Sequence, residues 1–154
     1  MPLPTFLVLG AMKAGTTALN NYLRQHPEIY VNPFIKESHY FSLQDWEGAN
    51  YRTWEEYVAI FDGVTTETAL GDNSPSYLAH PQAAQRIYER IPDVKLIAIL
   101  RNPIDRAYSH YYHERVGDVK YPQTIDDFLT AFHAHDHRRL GYRVRPRSFA
   151  MASH

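Results

Sequence analysis

The chain has 154 residues, with 16 Lys and Arg against 17 Asp and Glu and 44% hydrophobic residues, which is typical of one soluble globular domain with its own core. The formal net charge of -1 argues against a protein that holds nucleic acid by bulk positive charge, so any anion site must be local. Without cysteine, the chain has no disulfide framework, no thiolate metal site and no cysteine nucleophile. The apolar runs Phe6–Leu9 and Leu96–Leu100 are too short to span a membrane, and the N-terminus lacks the pattern of a signal peptide. We therefore expect a cytoplasmic protein with neither a membrane nor a nucleic-acid partner.

A strand, a glycine loop and a helix open the chain. Thr5–Gly10 is an apolar run of strand length that ends at a glycine, as expected of a strand buried on both faces. After the loop, helical spacing of apolar residues predicts a helix that ends at His26-Pro27. The residues that make this pattern are Ala18, Leu19, Tyr22 and Leu23.

Further elements alternate along the middle of the chain. Thr53 and Glu56 form a capping-box pattern at the start of a short helix. Ala69–Gly71 is a short strand candidate, and residues 81–91 form an amphipathic helix that Pro92 ends.

Lys95–Leu100 is the second strong strand candidate. Asn102 caps the next helix, with Pro103 at its first position, and this helix is expected to run to about Glu114. Thr124 caps a last helix. Strands that alternate with helices predict an α/β fold with a parallel sheet flanked by helices.

The last part of the chain has no periodic pattern. We assign residues 1–132 to the α/β domain and residues 133–154 to a His/Arg-rich tail. The alternating histidines of this tail predict no metal site, because that spacing puts three ligands on one side only in an extended strand. Two or three strands are fewer than the roughly five or six of an average sheet, so we expect the sheet to be incomplete at the C-terminus.

The first loop has features of an anion-binding site. Gly10 and Gly15 have the separation of a Walker A motif, with Thr17 at its final hydroxyl position, but the lysine is Lys13 instead of the residue after the second glycine. A strand that leads through a glycine turn into a helix directs backbone N–H groups at an anion. These residues predict a phosphate or sulfate site, although a simple tight turn between strand and helix would show the same glycines.

A second candidate anion site follows the second strong strand. Arg101 lies directly after this strand, on the carboxyl edge where open α/β sheets bind ligands, and Ser109 lies about two turns into the next helix. A nucleotide kinase would show an acidic residue there for Mg²⁺, so Arg101 favours an anion site over a metal site. A structural ion pair for Arg101 and an ordinary helix position for Ser109 are the alternative interpretations.

Together these segments resemble the sulfotransferases that use 3'-phosphoadenosine 5'-phosphosulfate (PAPS), most closely the branch of heparan sulfate sulfotransferases and their bacterial relatives. The family's Lys-x-Gly-Thr-x-x-Leu loop, which grips the 5'-phosphosulfate, appears from Lys13 to Leu19. Its 3'-phosphate motif, Arg-(Asp/Asn)-Pro-x-x-Arg-x-x-Ser, appears from Arg101 to Ser109. The resemblance implies a P-loop-like three-layer sandwich and PAPS as co-substrate, without a metal. The residues that it implies in binding PAPS are Lys13, Ala14, Gly15, Thr16, Thr17, Ala18, Arg101 and Ser109.

Two further segments are similar to the same family. Residues 37–41 resemble its Glu-x-His-Phe-Phe stretch, which implies that Glu37 is the catalytic base, with His39 as a second base or an orienting donor and Lys13 at the leaving group. Residues 71–78 resemble its Glu-Lys-(Ser/Thr)-Pro-x-Tyr element, except that the family's lysine is an asparagine here. The acceptor-binding residues implied by this element are Asp72, Asn73, Ser74 and Tyr77.

The resemblance implies an enzyme that transfers the sulfonate of PAPS to a hydroxyl or amine of a carbohydrate or small-molecule acceptor and releases PAP. Lys13 and the loop N–H groups suit the charge that builds on the leaving phosphate. Partial desolvation among His39, Tyr40 and Phe41 would let Glu37 accept the acceptor's proton near neutral pH. A non-catalytic PAP-binding fragment and a magnesium-dependent P-loop nucleotide kinase are the alternatives.

Overall fold

A computed structural model of the chain describes residues 2–42, 53–117 and 124–133. The chain forms two compact units, Met1–Arg106 and Ala107–His154. The boundary predicted between residues 132 and 133 stays a prediction, because residues 134–154 lie outside the described residues. The strands are β1 (Phe6–Gly10), β2 (Ile29–Val31), β3 (Ala69–Asn73) and β4 (Lys95–Ala98), and the helices are α1 (Thr16–Leu23), α2 (Trp54–Ala59), α3 (Ala83–Arg90), α4 (Pro103–Gly117) and α5 (Ile125–His133).

The four strands form one parallel sheet in the order β2-β3-β1-β4. Phe6 of β1 pairs with Gly71 of β3 on one side and with Lys95 of β4 on the other. Because all the pairings are parallel, the carboxyl ends of the four strands lie at the same edge of the sheet. The predicted α/β class with a parallel sheet flanked by helices is confirmed. Sequence patterning missed β2, since three residues are too few to show a period.

Alternate residues of β1 face two different apolar cores. Leu7 is buried with residues of α2, α3 and the segment 40–41. Phe6 and Val8 are buried on the opposite face, where half-buried leucines of α1 pack against them. The sheet of the first unit therefore has helices on both faces, as in a three-layer sandwich.

The buried faces of two helices differ from those that the apolar spacing indicates. In α1 the buried residues are Thr16 and Asn20, whereas Tyr22 is 71% exposed. In α3 the buried residues include Ile87, and Tyr88 is 72% exposed. Tyrosine tolerates exposed helix positions because its hydroxyl group favours water. When tyrosine is treated as an apolar residue, the spacing therefore predicts the wrong buried face of the helix.

Strand β4 also differs from its prediction. It ends at Ala98 instead of Leu100 and is an edge strand, and most of its side chains are exposed. Leu96 is 57% exposed and Leu100, just beyond the strand, is 76% exposed. An apolar run indicates that the faces of a strand favour burial, but it does not show which elements cover those faces.

The expected helix caps are present. Thr53 and Glu56 form both hydrogen bonds of a capping box at the start of α2. Asn102 Oδ1 accepts the N–H of Ile104 at 3.0 Å at the start of α4, and Thr124 Oγ1 accepts the N–H of Asp127 at 3.1 Å at the start of α5. Helix α4 runs to Gly117, three residues beyond the expected end, and spans the boundary of the two units.

Candidate active site at the carboxyl edge of the sheet

Four loops leave the carboxyl edge of the sheet, and the first unit's candidate residues lie on them or at their ends. Residues 11–15 follow β1, residues 32–42 follow β2, residues 74–76 follow β3 and residues 99–101 follow β4. Ligands of open parallel sheets bind at this edge, where the loops diverge from one another.

The loop after β1 needs both of its glycines. Gly10 and Gly15 have φ angles of 145° and 104°, a region that residues with a Cβ rarely adopt. A Cβ on Gly10 would also lie 2.8 Å from the carbonyl oxygen of Pro75. The first loop therefore packs closely on the turn after β3.

The N-terminus of α1 suits an anion. Gly15 is the N-cap residue and supplies no side-chain hydrogen bond to the helix, and no acidic residue lies in the first turn. The N–H groups of a helix start carry partial positive charge that attracts anions. The predicted cofactor residues differ in exposure, because Thr16 is buried whereas Thr17 and Ala18 are exposed.

Arg101 lies beside the first loop. Ala11 N–H donates to Ile99 O at 2.8 Å, and Ile99 N–H donates to Gly10 O at 2.7 Å, so the loop is joined to the segment after β4. The guanidinium of Arg101 donates to the carbonyl oxygen of Lys13 at 3.2 Å and is exposed. The structure thus brings together Lys13 and Arg101, two cations predicted from separate motifs.

Ser109, the other predicted 3'-phosphate residue, lies in α4 within the second unit. Its side chain is half-buried. Its role in binding PAPS stays a prediction.

Lys13 and His39 share an unusual backbone conformation. Within the described residues, they are the two non-glycine residues with positive φ, at 66° and 54°. Such conformations cost about 1–3 kcal/mol each and occur preferentially at functional sites. Both residues are catalytic candidates implied by the family resemblance.

Glu37 lies between two basic side chains. Lys36 Nζ is 2.7 Å from Glu37 Oε1, and His39 Nε2 is 3.2 Å from Glu37 Oε2. The Glu37 side chain is 28% exposed, so it remains accessible to an acceptor. Lys36 was not among the residues predicted from the motifs.

The environment of Glu37 differs from the expected one. The hydrogen bond from His39, together with the hydrogen bond and charge of Lys36, outweighs desolvation and lowers the pKa of Glu37 from 4.5 to about 2. The expectation that desolvation tunes Glu37 toward neutral pH is therefore wrong. Glu37 is instead a carboxylate that keeps its charge throughout the neutral range.

A serine orients the other side of the His39 ring. His39 Nδ1 is 2.8 Å from Ser76 Oγ, and Ser76 Oγ is 2.7 Å from Ser42 Oγ. Nε2 faces the Glu37 carboxylate and Nδ1 shares a hydrogen bond with the Ser76 hydroxyl. Both ring nitrogens of His39 are thus engaged, and Glu37 is the member of the pair with free lone pairs.

The residues predicted to bind the acceptor are deeply buried. Asp72 Oδ2 accepts hydroxyl groups from Ser38 at 2.7 Å, Tyr77 at 2.7 Å and Tyr57 at 3.2 Å. Asp72 Oδ1 accepts the hydroxyl of Ser74 at 2.8 Å. Burial and the nearby charge of Asp72 raise the pKa values of Tyr57 and Tyr77 well above their usual range, so both phenols stay protonated donors.

Asn73 faces the opposite side of the sheet from Asp72. It is 2% exposed, and its Nδ2 donates to the carbonyl oxygen of Thr16 at 2.9 Å. This bond ties the end of β3 to the first turn of α1. Direct contact of Asp72, Asn73, Ser74 and Tyr77 with an acceptor stays a prediction. Each of these side chains bonds to protein groups, but Asn73 Oδ1 is buried and has no hydrogen-bond partner among the described residues.

The end of β3 does not provide the free carboxylate for Mg²⁺ that a nucleotide kinase would require. Asp72 is an acidic residue near the end of the strand beside β1, but both of its carboxylate oxygens accept hydroxyl protons on the face away from Thr16. Across the described ranges, no group of three or more His, Asp or Glu side chains is arranged to hold a metal ion. The tail residues His135 and His137 lie outside those ranges.

Fold and site together define an α/β domain with a glycine loop that leads into a helix N-terminus and a carboxylate–histidine pair at one sheet edge. The family model described as "Sulfotransferase domain" matches residues 3–141. The chain belongs to the sulfotransferase family.

Individual relatives agree with this assignment. The chain is 34% identical over 112 residues to the "Membrane-associated sulfotransferase kil1" of Dictyostelium discoideum, covering 71% of this chain and 23% of the relative. It is 33% identical over 133 residues to the mouse "Bifunctional heparan sulfate N-deacetylase/N-sulfotransferase 1", covering 83% of this chain and 15% of that protein.

A solved structure also matches. The crystal structure of a sulfotransferase from Alicyclobacillus acidocaldarius superposes with a TM-score of 0.79 at 36% identity, covering 90% of this chain and 60% of that chain. The chain therefore spans less than a quarter of these two curated relatives and about three fifths of the solved one. No helix within the described part of the chain is long and apolar enough to cross a membrane.

Proposed function

We propose that the chain transfers the sulfonate group of PAPS to a hydroxyl or amine of a carbohydrate or small-molecule acceptor and releases PAP. The observation that carries this proposal is the contact between Arg101 and the Lys13 carbonyl, because it joins the two predicted phosphate-binding elements at the carboxyl edge of the sheet. Membership of the sulfotransferase family supplies the class of reaction.

The donor side of the site consists of cations and N–H groups. Lys13 and the first turn of α1 are suited to hold the 5'-phosphosulfate, because neither a side-chain cap nor an acidic residue competes for those N–H groups. Arg101, whose guanidinium is exposed, is suited to hold the 3'-phosphate, and the motif's role for Ser109 stays a prediction. Positive charge at Lys13 stabilises the negative charge that develops on the leaving phosphate.

The acceptor side consists of Glu37 and His39. In the transfer, the bond from sulfur to the donor phosphate oxygen breaks, the bond from sulfur to the acceptor oxygen or nitrogen forms, and the electron pair leaves with PAP. The acceptor's proton goes to Glu37. A carboxylate with a pKa of about 2 suffices if the transition state is loose, as in phosphoryl transfer, because the acceptor's proton then becomes acidic late in the reaction.

The class of acceptor is inferred from a relative of the chain. The named activity of the mouse relative is heparan sulfate N-sulfotransfer, so glycan amines and hydroxyls are the first acceptors to test. The acceptor side of the site would be shaped by Asp72, Asn73, Ser74 and Tyr77. Because these residues are buried, we expect them to support the residues that line the acceptor site instead of contacting the acceptor directly. The cytoplasmic location stays a prediction, which fractionation of cells that express the native gene would test.

Calorimetric titration with PAP in metal-free buffer tests the donor site. We expect PAP to bind the unmodified chain and to bind Arg101→Ala roughly 10-fold or more weakly, because a charged hydrogen bond contributes about 1.5–3 kcal/mol. The matched control is Arg24→Ala, which removes an exposed arginine at the opposite end of α1 and should leave PAP affinity unchanged. Failure of the folded chain to bind PAP would contradict the proposal, and binding of ATP that requires magnesium would favour the kinase alternative.

Turnover separates an enzyme from a binding fragment. Incubation with PAPS and a panel of glycan amines, glycan alcohols and small phenols should release PAP. Glu37→Gln should bind PAP as the unmodified chain does and release PAP far more slowly in the presence of acceptor. PAP binding without turnover for any acceptor would identify a non-catalytic nucleotide-binding module.

A further inference from the structure

The buried carboxylate of Asp72 is a polar group that takes no part in the bond-making, bond-breaking or proton-transfer steps of the proposed reaction. Asp72 is 3% exposed and lies within the sheet, on a strand flanked by β1 and β2. Four hydroxyl groups donate to it, from Ser38, Tyr57, Ser74 and Tyr77. Burying a carboxylate is costly unless hydrogen bonds compensate for the lost water, and this carboxylate is compensated by neutral donors. Such a network orders every group that it contains.

Two of the four donors connect Asp72 to the segment that carries Glu37 and His39. Ser74 Oγ donates to Asp72 and accepts the N–H groups of Ser38 at 3.0 Å and His39 at 3.1 Å. Ser38 Oγ donates to Asp72 and accepts the N–H of Tyr40 at 3.3 Å. Three successive backbone N–H groups therefore depend on two serines that Asp72 orients.

That segment needs to be held. His39 has a φ angle of 54°, which costs about 1–3 kcal/mol for a residue with a Cβ and persists only where surrounding contacts determine it. The conformation of His39 brings its Nε2 to 3.2 Å from Glu37 Oε2. If the backbone relaxed to negative φ, the imidazole would leave this position.

We infer that Asp72 is a positioning residue, which acts through Ser38 and Ser74 to hold residues 37–39 in the conformation that joins Glu37 to His39. This inference rests on the proposed function only for its effect on turnover. The pairing of Glu37 with His39 is a property of the unliganded protein and can be measured without any substrate.

The groups that face the network come from three elements. Tyr57 reaches Asp72 from α2 and Tyr77 from the turn after β3, and both pack within the apolar core. Lys36, Glu37 and His39 face one another on the segment after β2, and Ser76 faces His39. The titration of Glu37 therefore reports whether His39 remains in place, because the hydrogen bond from His39 is the largest influence on its pKa.

The experiment compares Ser74→Ala and Asp72→Asn with Tyr57→Phe as the matched control. Ser74→Ala removes the hydroxyl that joins Asp72 to the N–H groups of Ser38 and His39. Tyr57→Phe removes a hydroxyl that donates to Asp72 but keeps the ring that stacks on Tyr40. The Glu37 side-chain carboxyl signal is followed by ¹³C NMR between pH 3 and pH 7 in the full chain. Turnover of PAPS and affinity for PAP are measured on the same samples.

We expect Ser74→Ala to move the midpoint of the Glu37 titration from about 2 toward 4.5, so that a step appears within the measured range. We expect kcat to fall about 100-fold, because displacing a catalytic group by about 1 Å costs that much, while PAP affinity stays unchanged. Tyr57→Phe should show no Glu37 step above pH 3.5 and near-normal kcat. We expect the same Glu37 step and the same fall in kcat in Asp72→Asn. If Asp72→Asn does not fold, Ser74→Ala tests the serine through which Asp72 acts.

A folded Ser74→Ala chain with no Glu37 step above pH 3.5 would overturn the inference, whatever its turnover. An equal Glu37 step in Tyr57→Phe would also overturn the inference, since loss of any hydroxyl that bonds to Asp72 would then be enough to raise the pKa of Glu37. Absence of PAPS turnover in the unmodified chain would contradict the proposed function alone, because the titration still tests the positioning of Glu37.

Discussion

Replacement of Lys13 by glycine and by alanine should separate stability from function at one position. Lys13 has a φ angle of 66°, which costs an L-residue roughly 1–2 kcal/mol relative to ordinary helical or extended backbone. Alanine keeps this cost, whereas glycine removes it and instead loses about 0.5–1 kcal/mol through the freedom of its unfolded chain. We therefore expect Lys13→Gly to be more stable than Lys13→Ala by about 0.5–1 kcal/mol.

Thermal unfolding measures the first half of this prediction. For a chain of this length a difference of that size corresponds to about 1–4 °C in Tm. The matched control is Lys95, an exposed residue of β4, where Lys95→Gly should be less stable than Lys95→Ala because strand backbone disfavours glycine. The order of the two variants should thus reverse between the two positions.

Calorimetric titration with PAP measures the second half. Both Lys13 variants lose the ammonium group, so both should bind PAP roughly 10-fold or more weakly than the unmodified chain. Equal or greater stability of Lys13→Ala would refute the argument from backbone conformation. Full PAP affinity in either variant would refute the role of Lys13 at the donor site.

Three further predictions follow from individual contacts. Glu37→Gln should lower the free energy of unfolding by up to about 1 kcal/mol at neutral pH. Because the pKa of Glu37 is lowered to about 2, this contribution is complete above pH 4.5, and the difference from the unmodified chain should shrink as the pH falls from 4.5 toward 2. A constant difference in urea titrations at several pH values would contradict this prediction. Thr53→Ala removes the capping box of α2 and should cost about 0.5–2 kcal/mol without changing PAP affinity, as urea unfolding and calorimetry would show. Gly71→Ala would place a Cβ 2.2 Å from the ring of Phe6, so we expect a loss of about 1–3 kcal/mol from overpacking; a Tm equal to that of the unmodified chain would contradict the described β1–β3 packing.

Local chemistry explains which elements were predictable. The capping box at Thr53 and the apolar run that becomes β1 depend on neighbouring residues alone, and both were predicted with nearly the observed bounds. Strand β2 could not be predicted, because three residues carry no period and its place beside β3 depends on long-range pairing. The exposure of the β4 side chains likewise depends on which elements cover the two faces of the strand, which its own residues do not encode.

The candidate site divides in the same way. Lys13 and Arg101 were predicted because one lies in a glycine turn and the other directly follows a strand, whereas Glu37 and His39 were predicted only from the resemblance to the family's Glu-x-His-Phe-Phe stretch. The contacts that surround these four side chains could not be predicted from the motifs. Lys36 and His39 lower the pKa of Glu37 instead of leaving it tuned by desolvation, and that result depends on distances of 2.7 and 3.2 Å.

Apolar periodicity was enough to predict the α/β class, and short motifs with their family resemblance were enough to predict the glycine loop and the charged groups at the sheet edge. The three-dimensional arrangement decided which of these groups meet. Asp72 and Asn73 are adjacent in sequence, yet alternation along β3 sends one into the hydroxyl network behind Glu37 and the other to the start of α1. Hydrogen bonds between residues 30 to 90 positions apart, such as Ser38 to Asp72 and Arg101 to Lys13, form only when the sheet brings its loops together, because nothing local in the chain specifies them.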